Sequence, residues 1–346
     1  MATVTTLVAA TVTGMSEANG LNATGSVVGQ EDTVFAYVWN PTQPNGTIGT
    51  PTQLPALPTV GAPGKARARS INANGVICGE SEGLDASGNP VTRAVLWTSA
   101  GIQDLGTLIP DPGNPGFFVG NSRALHINDN GQIVGASDSA TGAEHAFLFD
   151  PTTASMTDLG ALVLAGASGT TDTSRATSIN SQGDVVGVSN SLDTSGTPVE
   201  RAFLSTAGSG FLADLGTLLP DPANPGSFLG NSSAFGINDN GTIIGTSDGG
   251  GGLTGVTRFF SGSPPAPVIP SDSAGSDVGP NDDIVGSIGS PAVGFTENNT
   301  SGLVDLTTLA ATAGMTVDNG TGVSASGQIT ASATVGGSSV GILITP

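Results

Sequence analysis

The chain has 346 residues, 53 of them Gly and 22 Pro, with 8 Lys+Arg against 28 Asp+Glu and a formal charge of -20. That charge repels nucleic-acid phosphates and anionic lipid, and abundant Gly, Pro, Ser, Thr and Asn favour short strands joined by turns over helices. No window reaches the roughly 18 to 20 apolar residues of a membrane helix, and the first residues show neither a basic stretch nor a long apolar one, so no membrane insertion and no signal peptide are expected.

From the N-terminus, residues 1–10 read as a lone strand. A nine-residue sentence then recurs: an apolar residue, a polar turn ending in Gly, and an apolar run closing on Gly. Its clear copies are Ile71 to Gly79, Ile127 to Gly135, Ile179 to Gly187 and Ile237 to Gly245. Weaker copies start at Leu21, Gly279 and Val323. Each reads as a β-hairpin in which Asn-Gly supplies the positive φ of a two-residue reversal. The hairpins end near residues 29, 79, 135, 187, 245, 286 and 331, spaced for four short strands plus loops.

The third strand of each unit reads as Phe35 to Trp39, Arg93 to Trp97, His145 to Phe149, Arg201 to Leu204, Arg258 to Phe260, Val293 to Phe295 and Val340 to Ile344. A fourth strand is expected over Asp104 to Leu108, Asp158 to Leu162, Asp214 to Leu218, Asp305 to Leu309 and, more weakly, Gln53 to Leu57. Seven four-stranded units predict an all-β, seven-bladed propeller over residues 1–346 as a single domain. The last unit stops at its third strand, while Thr5 to Ala10 is similar to Thr307 to Ala311, so residues 1–10 are expected to complete blade seven and close the ring. Units two and three recur as units four and five, seen in Leu84 to Arg93 against Leu192 to Arg201 and Pro110 to Gly116 against Pro220 to Gly226.

The combination Ile-Asn-x-x-Gly-x-Val-Val-Gly-x-Ser, then His145-Ala146-Phe147, then Asp-Leu-Gly-Thr-Leu resembles the bacterial extracellular HAF repeat, closely over residues 65 to 245 and loosely elsewhere. The resemblance implies a secreted or surface-attached repeat protein and carries no catalytic residues.

Candidate chemistry is sparse. Gly79 to Gly83 and Gly245 to Gly249 spell Gly-x-Ser-x-Gly, but a nucleophile elbow needs a strand-to-helix turn, and here both strings follow from the repeat's Gly-x-Ser ending. Gly250, Gly252 and Gly255 lack the βαβ setting of a phosphate loop. His126 and His145 fall on repeat positions and read as structural, and the Asn-Asp-Asn-Gly turns lack calcium-loop spacing, so neither a metal nor a cofactor is expected. Cys78 stands where other units have Val134, Val186 and Ile244 and reads as a buried thiol.

The basic residues are more informative. Arg67, Arg123 and Arg175 precede their unit's Ile by four residues, and Arg93, Arg201 and Arg258 begin strand three. Propeller topology sends both positions to one face, together with Lys65, Arg69 and the long loops 110–122 and 220–232 that carry Phe117, Phe118 and Phe228. That face is the candidate binding face. The competing expectation is that each arginine pairs with a loop acid (Asp85, Asp111, Glu144, Asp193, Glu200 or Asp221) and staples blades together. The chain is therefore expected to be a non-enzymatic binding or structural module on an extracellular surface, meeting a protein or glycan partner. Alternatives are a bacteriophage capsid-decorating or tail-associated protein on a virion surface, a carbohydrate-binding lectin and, last, a glycan-acting enzyme, for which no paired carboxylates stand out.

Overall fold

The structure is a computed structural model describing residues 2–7, 15–61, 64–162, 172–249, 254–260, 262–269, 273–298, 301–310 and 314–345. Strand β1 is Thr3–Thr6. Blade one contains β2 (Ser16–Leu21), β3 (Val27–Glu31), β4 (Phe35–Pro41) and β5 (Gly49–Gln53); blade two contains β6 (Ala66–Ile71), β7 (Ile77–Leu84), β8 (Pro90–Thr98) and β9 (Gly101–Asp104). Blade three follows with β10 (Ser122–Ile127), β11 (Ile133–Asp138), β12 (Glu144–Asp150) and β13 (Ser155–Gly160), and blade four with β14 (Ser174–Ile179), β15 (Val185–Leu192), β16 (Pro198–Ser205) and β17 (Ala213–Asp214). Blade five has β18 (Ser232–Ile237), β19 (Ile243–Asp248), β20 (Thr254–Phe260) and β21 (Ser263–Ile269). Blade six has β22 (Ser273–Val278), β23 (Ile284–Ile288), β24 (Val293–Asn298) and β25 (Gly302–Asp305), followed by the short helix α1 (Leu306–Ala310). Blade seven has β26 (Thr316–Val323), β27 (Ile329–Val335) and β28 (Ser338–Thr345), completed by β1. All seven sheets are four-stranded and antiparallel, which makes the seven-bladed propeller that the repeat predicts.

Ring closure follows the expectation in part of its length. Thr3 to Thr6 pair with Thr345 to Ile342, and Leu7, 1% exposed, packs with Tyr37, Trp39 and Leu343 between blades seven and one. Residues 1 and 8–10 of the expected closing strand lie outside the described residues.

The core lies between neighbouring sheets. Val134 and Ala146 of blade three, for example, pack with Ala176, Val185 and Phe203 of blade four. Each hairpin of blades one to six closes on Gly because a Cβ there would land on a strand-one carbonyl oxygen, as at Gly135 against Arg123 and Gly187 against Arg175. Strand one carries a β-bulge in every blade, between Ala124 and His126 in blade three for instance, and the extra residue turns towards the central channel. Cys78 is fully buried, and burial pushes its thiol up, as its apolar repeat position predicts.

Two local expectations are corrected. The hairpin is a five-residue loop and not a two-residue reversal: Gly131 N–H bonds Asn128 O, Asn128 N–H bonds Gln132 O, and only the Gly takes positive φ. The Asp-Leu-Gly-Thr-Leu motif ends strand four instead of forming it. Asp104 closes β9, its carboxylate accepts Gly106 N–H, and Gly106 at φ 78 turns the chain out of the sheet. In blades two, four and six, strand four ends on the motif's Asp, in blade three it runs on to Gly160, and in blade six Leu306 to Ala310 are helical.

Candidate functional site

The hairpin loops gather on one face. The chain enters strand one, crosses from strand two to three and leaves strand four on the other, here termed the loop face. Arg67 and Arg123 sit near the start of strand one, and Arg93 and Arg201 near the start of strand three, as the topology requires. Arg258 does not join them. Its register partner is Ile244, so it occupies the position of Leu96 and Leu204, three residues further along, and Gly255 takes the place of Arg93. The short Arg-Phe-Phe string hid this offset.

The arginines are heavily engaged. Arg93, 2% exposed, donates to the carbonyls of Phe118 (2.7 Å) and Gly120 and faces Asp104 at 3.5 Å. Arg201 repeats this against Phe228 (2.7 Å), Gly230 and Asp214 (3.5 Å). Each thus ties a long loop to its blade. Burial pushes the Asp104 and Asp214 carboxyls up, despite the neighbouring Gly N–H and arginine, and lowers the Arg201 guanidinium. At the same position His145 bonds Asp158 at 2.9 Å.

Arg67 pairs with Glu17 of blade one, Arg123 with Glu144, and Arg69 with Glu80 at 2.6 Å; Lys65 lies 4.0 Å from Glu82. Of the acids expected as partners, Glu144 is the one that pairs with an arginine among the described residues. Asp85, Asp111, Asp193 and Asp221 instead accept N–H groups of their own turns, as Asp85 does from Ser87 and Asn89. Arg175 is exposed, in a depression with Glu144, Asn190 and Glu200.

The expected aromatics divide. Phe118 and Phe228 lie against Gly106 and Gly216, where a Cβ would collide with their rings, whereas Phe117 at the tip of its loop is 56% exposed. Sequence reading missed four more exposed apolar side chains on this face: Met15, Phe35, Val60 and Val335. Met15, Phe35 and Val335 were legible as apolar residues at polar strand ends, and Val60 as one in the Pro-rich link between blades one and two. Around Val60, itself 83% exposed, opens a cavity of about 490 Å³, walled by Leu84, Gly88 and Pro90 of the strand two to three turn and by Thr59, Thr92 and Asn121.

The serines of the Gly-x-Ser-x-Gly strings are buried and occupied. Ser81 Oγ accepts Leu57 N–H (2.9 Å) from the preceding blade, and Ser247 Oγ accepts Leu218 N–H (2.8 Å). Ser137 and Ser189 do the same for Leu108 and Leu162. The motif is an inter-blade clasp.

No family model and no curated protein matches the chain. Solved structures similar to it include TolB from Acinetobacter baumannii, with 10% identity and a TM-score of 0.41 over 78% of this chain and 63% of that one. A puromycin hydrolase mutant complexed with PGG shows 13% identity and a TM-score of 0.49 over 93% and 50%, and the PQQ-bound aldose sugar dehydrogenase from Streptomyces coelicolor 10% and 0.37 over 100% and 98%. The chain thus spans less than two thirds of the first two, and at such values no argument about chemistry rests on any of them.

Proposed function

We propose that the chain is a non-enzymatic recognition module of an extracellular surface that meets a protein partner with its loop face. The observation that carries the reading is the cavity of about 490 Å³ beside Val60, on the face that also exposes Met15, Phe35, Phe117 and Val335. Apolar exposure beside a cavity on an otherwise acidic, polar surface is what an interface centre requires. The buried Arg93 fits the same reading, because it fixes the loop that runs into Asn121 of the wall and cuts the ordering cost of binding. The likeness to the HAF repeat supports an extracellular setting.

The test uses the full chain with Val60→Glu and Phe117→Glu introduced together. A partner purified from the outer-surface fraction of the source should bind the parent chain and lose at least about tenfold in affinity against the double variant, since charges placed at a desolvated centre cost several kcal/mol. Equal affinity for both forms would overturn the reading.

A further inference from the structure

The channel along the propeller axis holds a second arrangement, on the opposite face. The seven hairpins surround a funnel of about 220 Å³, below which lies a polar chamber of about 170 Å³. His126, Asp277, Leu21 and Ile71 line both spaces, so the imidazole of blade three and the carboxylate of blade six stand at the neck between them.

The bonding of these two side chains fixes what they can offer. His126 Nδ1 accepts Ile179 N–H at 3.2 Å, which requires an unprotonated Nδ1, so the neutral ring carries its proton on Nε2. Burial pulls the imidazole below its ordinary range, against the opposing charges of Asp277 and Asp129, and favours that neutral form. Asp277 Oδ2 accepts Val323 N–H at 3.2 Å, and burial pushes this carboxyl up. Arg69, the cation of the lower chamber, is committed to Glu80 at 2.6 Å. The neck therefore presents one N–H donor and one carboxylate acceptor, and the one cation among the described lining residues, Arg69, is already paired.

We propose that the funnel binds the terminal ring of a neutral carbohydrate, one hydroxyl accepting from His126 Nε2–H and donating to Asp277. A hydroxyl is both donor and acceptor and fits the pair as neither a cation nor an anion does. Asp129 and Asp239 at the rim repel anionic groups, while the half-buried Leu21 offers an apolar surface to sugar C–H groups. The funnel is smaller than the roughly 300 to 1,000 Å³ of sites for drug-sized ligands and suits a single ring.

The experiment is saturation-transfer NMR of the full chain with methyl glycosides of glucose, galactose, mannose and N-acetylglucosamine, followed by titration of the one that saturates. Asp277→Asn keeps an acceptor for Val323 N–H but loses the charge-assisted bond, and should weaken binding about tenfold with an unchanged melting curve. Ala325→Trp, at the exposed rim and away from the neck, should abolish binding by filling the mouth. Phe211→Ser, on an outer turn, should bind as the parent does. Failure of every glycoside to saturate, or parental affinity in both Asp277→Asn and Ala325→Trp, would overturn the proposal. Neither result bears on the loop face, which is tested separately.

Discussion

The two faces of the disc are built on different principles. On the hairpin face one device is repeated around much of the ring. Asn128 Oδ1 accepts the N–H groups of Asn130 and Gln132, shaping its own loop, while its Nδ2 donates to Asn180 O of the next blade at 2.9 Å. Asn22, Asn72, Asn180 and Asn238 reach the following blade in the same way, onto Asn72, Asn128, Asn238 and Gly279 carbonyls. On the loop face the connections vary in length and sequence around the ring, apart from the copied pair 110–122 and 220–232, each pinned by a buried arginine. Repetition thus accompanies inter-blade cohesion, and variation accompanies the exposed apolar surface.

The largest effect tests whether cohesion depends on the closed ring. Deleting residues 1–7 removes the pairing of β1 with β28 and the buried Leu7, and bares a sheet edge. A loss on the order of 5 kcal/mol is expected, seen by calorimetry as a melting transition lower by about 10 °C. An unchanged transition would mean that the last blade stands on three strands.

Next comes the loop face. Arg93→Met removes three partners at once, leaving the Phe118 and Gly120 carbonyls unpaired in a buried setting and Asp104 without its cation, at a cost of about 3 kcal/mol. Limited proteolysis should then cut within residues 110–119 before the blades. Arg93→His asks whether the arrangement at His145 can serve a long loop; cleavage as fast as in Arg93→Met would show that it cannot.

On the hairpin face, Asn128→Ala forfeits three bonds within the loop and one between blades, and about 2 kcal/mol is expected in urea titration. Blade six offers the contrast, since Gly279 and Pro280 replace the asparagine step and the exposed Asn281 alone reaches Ala325 O. Asn281→Ala should cost less than half as much, and equal losses would contradict a cohesive role for the buried amide.

How much of this was legible follows the same division. The hairpin sentence is local and repeated, so the blade count could be read from Ile-Asn and Gly positions, and the pairing of β1 with β28 from a last unit that stops at its third strand. The turn type was misjudged because Asn-Gly also serves a five-residue loop, with the preceding Asn as its cap. Arg258 was misaligned because blade five carries Val256 and Thr257 where other blades carry Ala and a larger apolar residue, so no motif fixed the register. The His126 and Asp277 pairing was invisible, being made across the axis by bulged strands of blades three and six.

The smallest effect separates two kinds of arginine on one face. Arg67 reaches Glu17 across the boundary between blades one and two, whereas Arg93 meets Asp104 within blade two, and both members of the first pair keep much of their solvent: the side chains of Arg67 and Glu17 are 27% and 38% exposed, against 2% for Arg93. Water screens the pair and already solvates either group when the other is removed. A double-mutant cycle of Arg67→Met and Glu17→Gln should therefore give a coupling energy below about 1 kcal/mol, weakening further at 0.5 M salt. A coupling as large as the loss expected for Arg93 would mean that contact between blades, and not burial, decides what an arginine contributes here, and would place Arg67 among the residues that hold the ring.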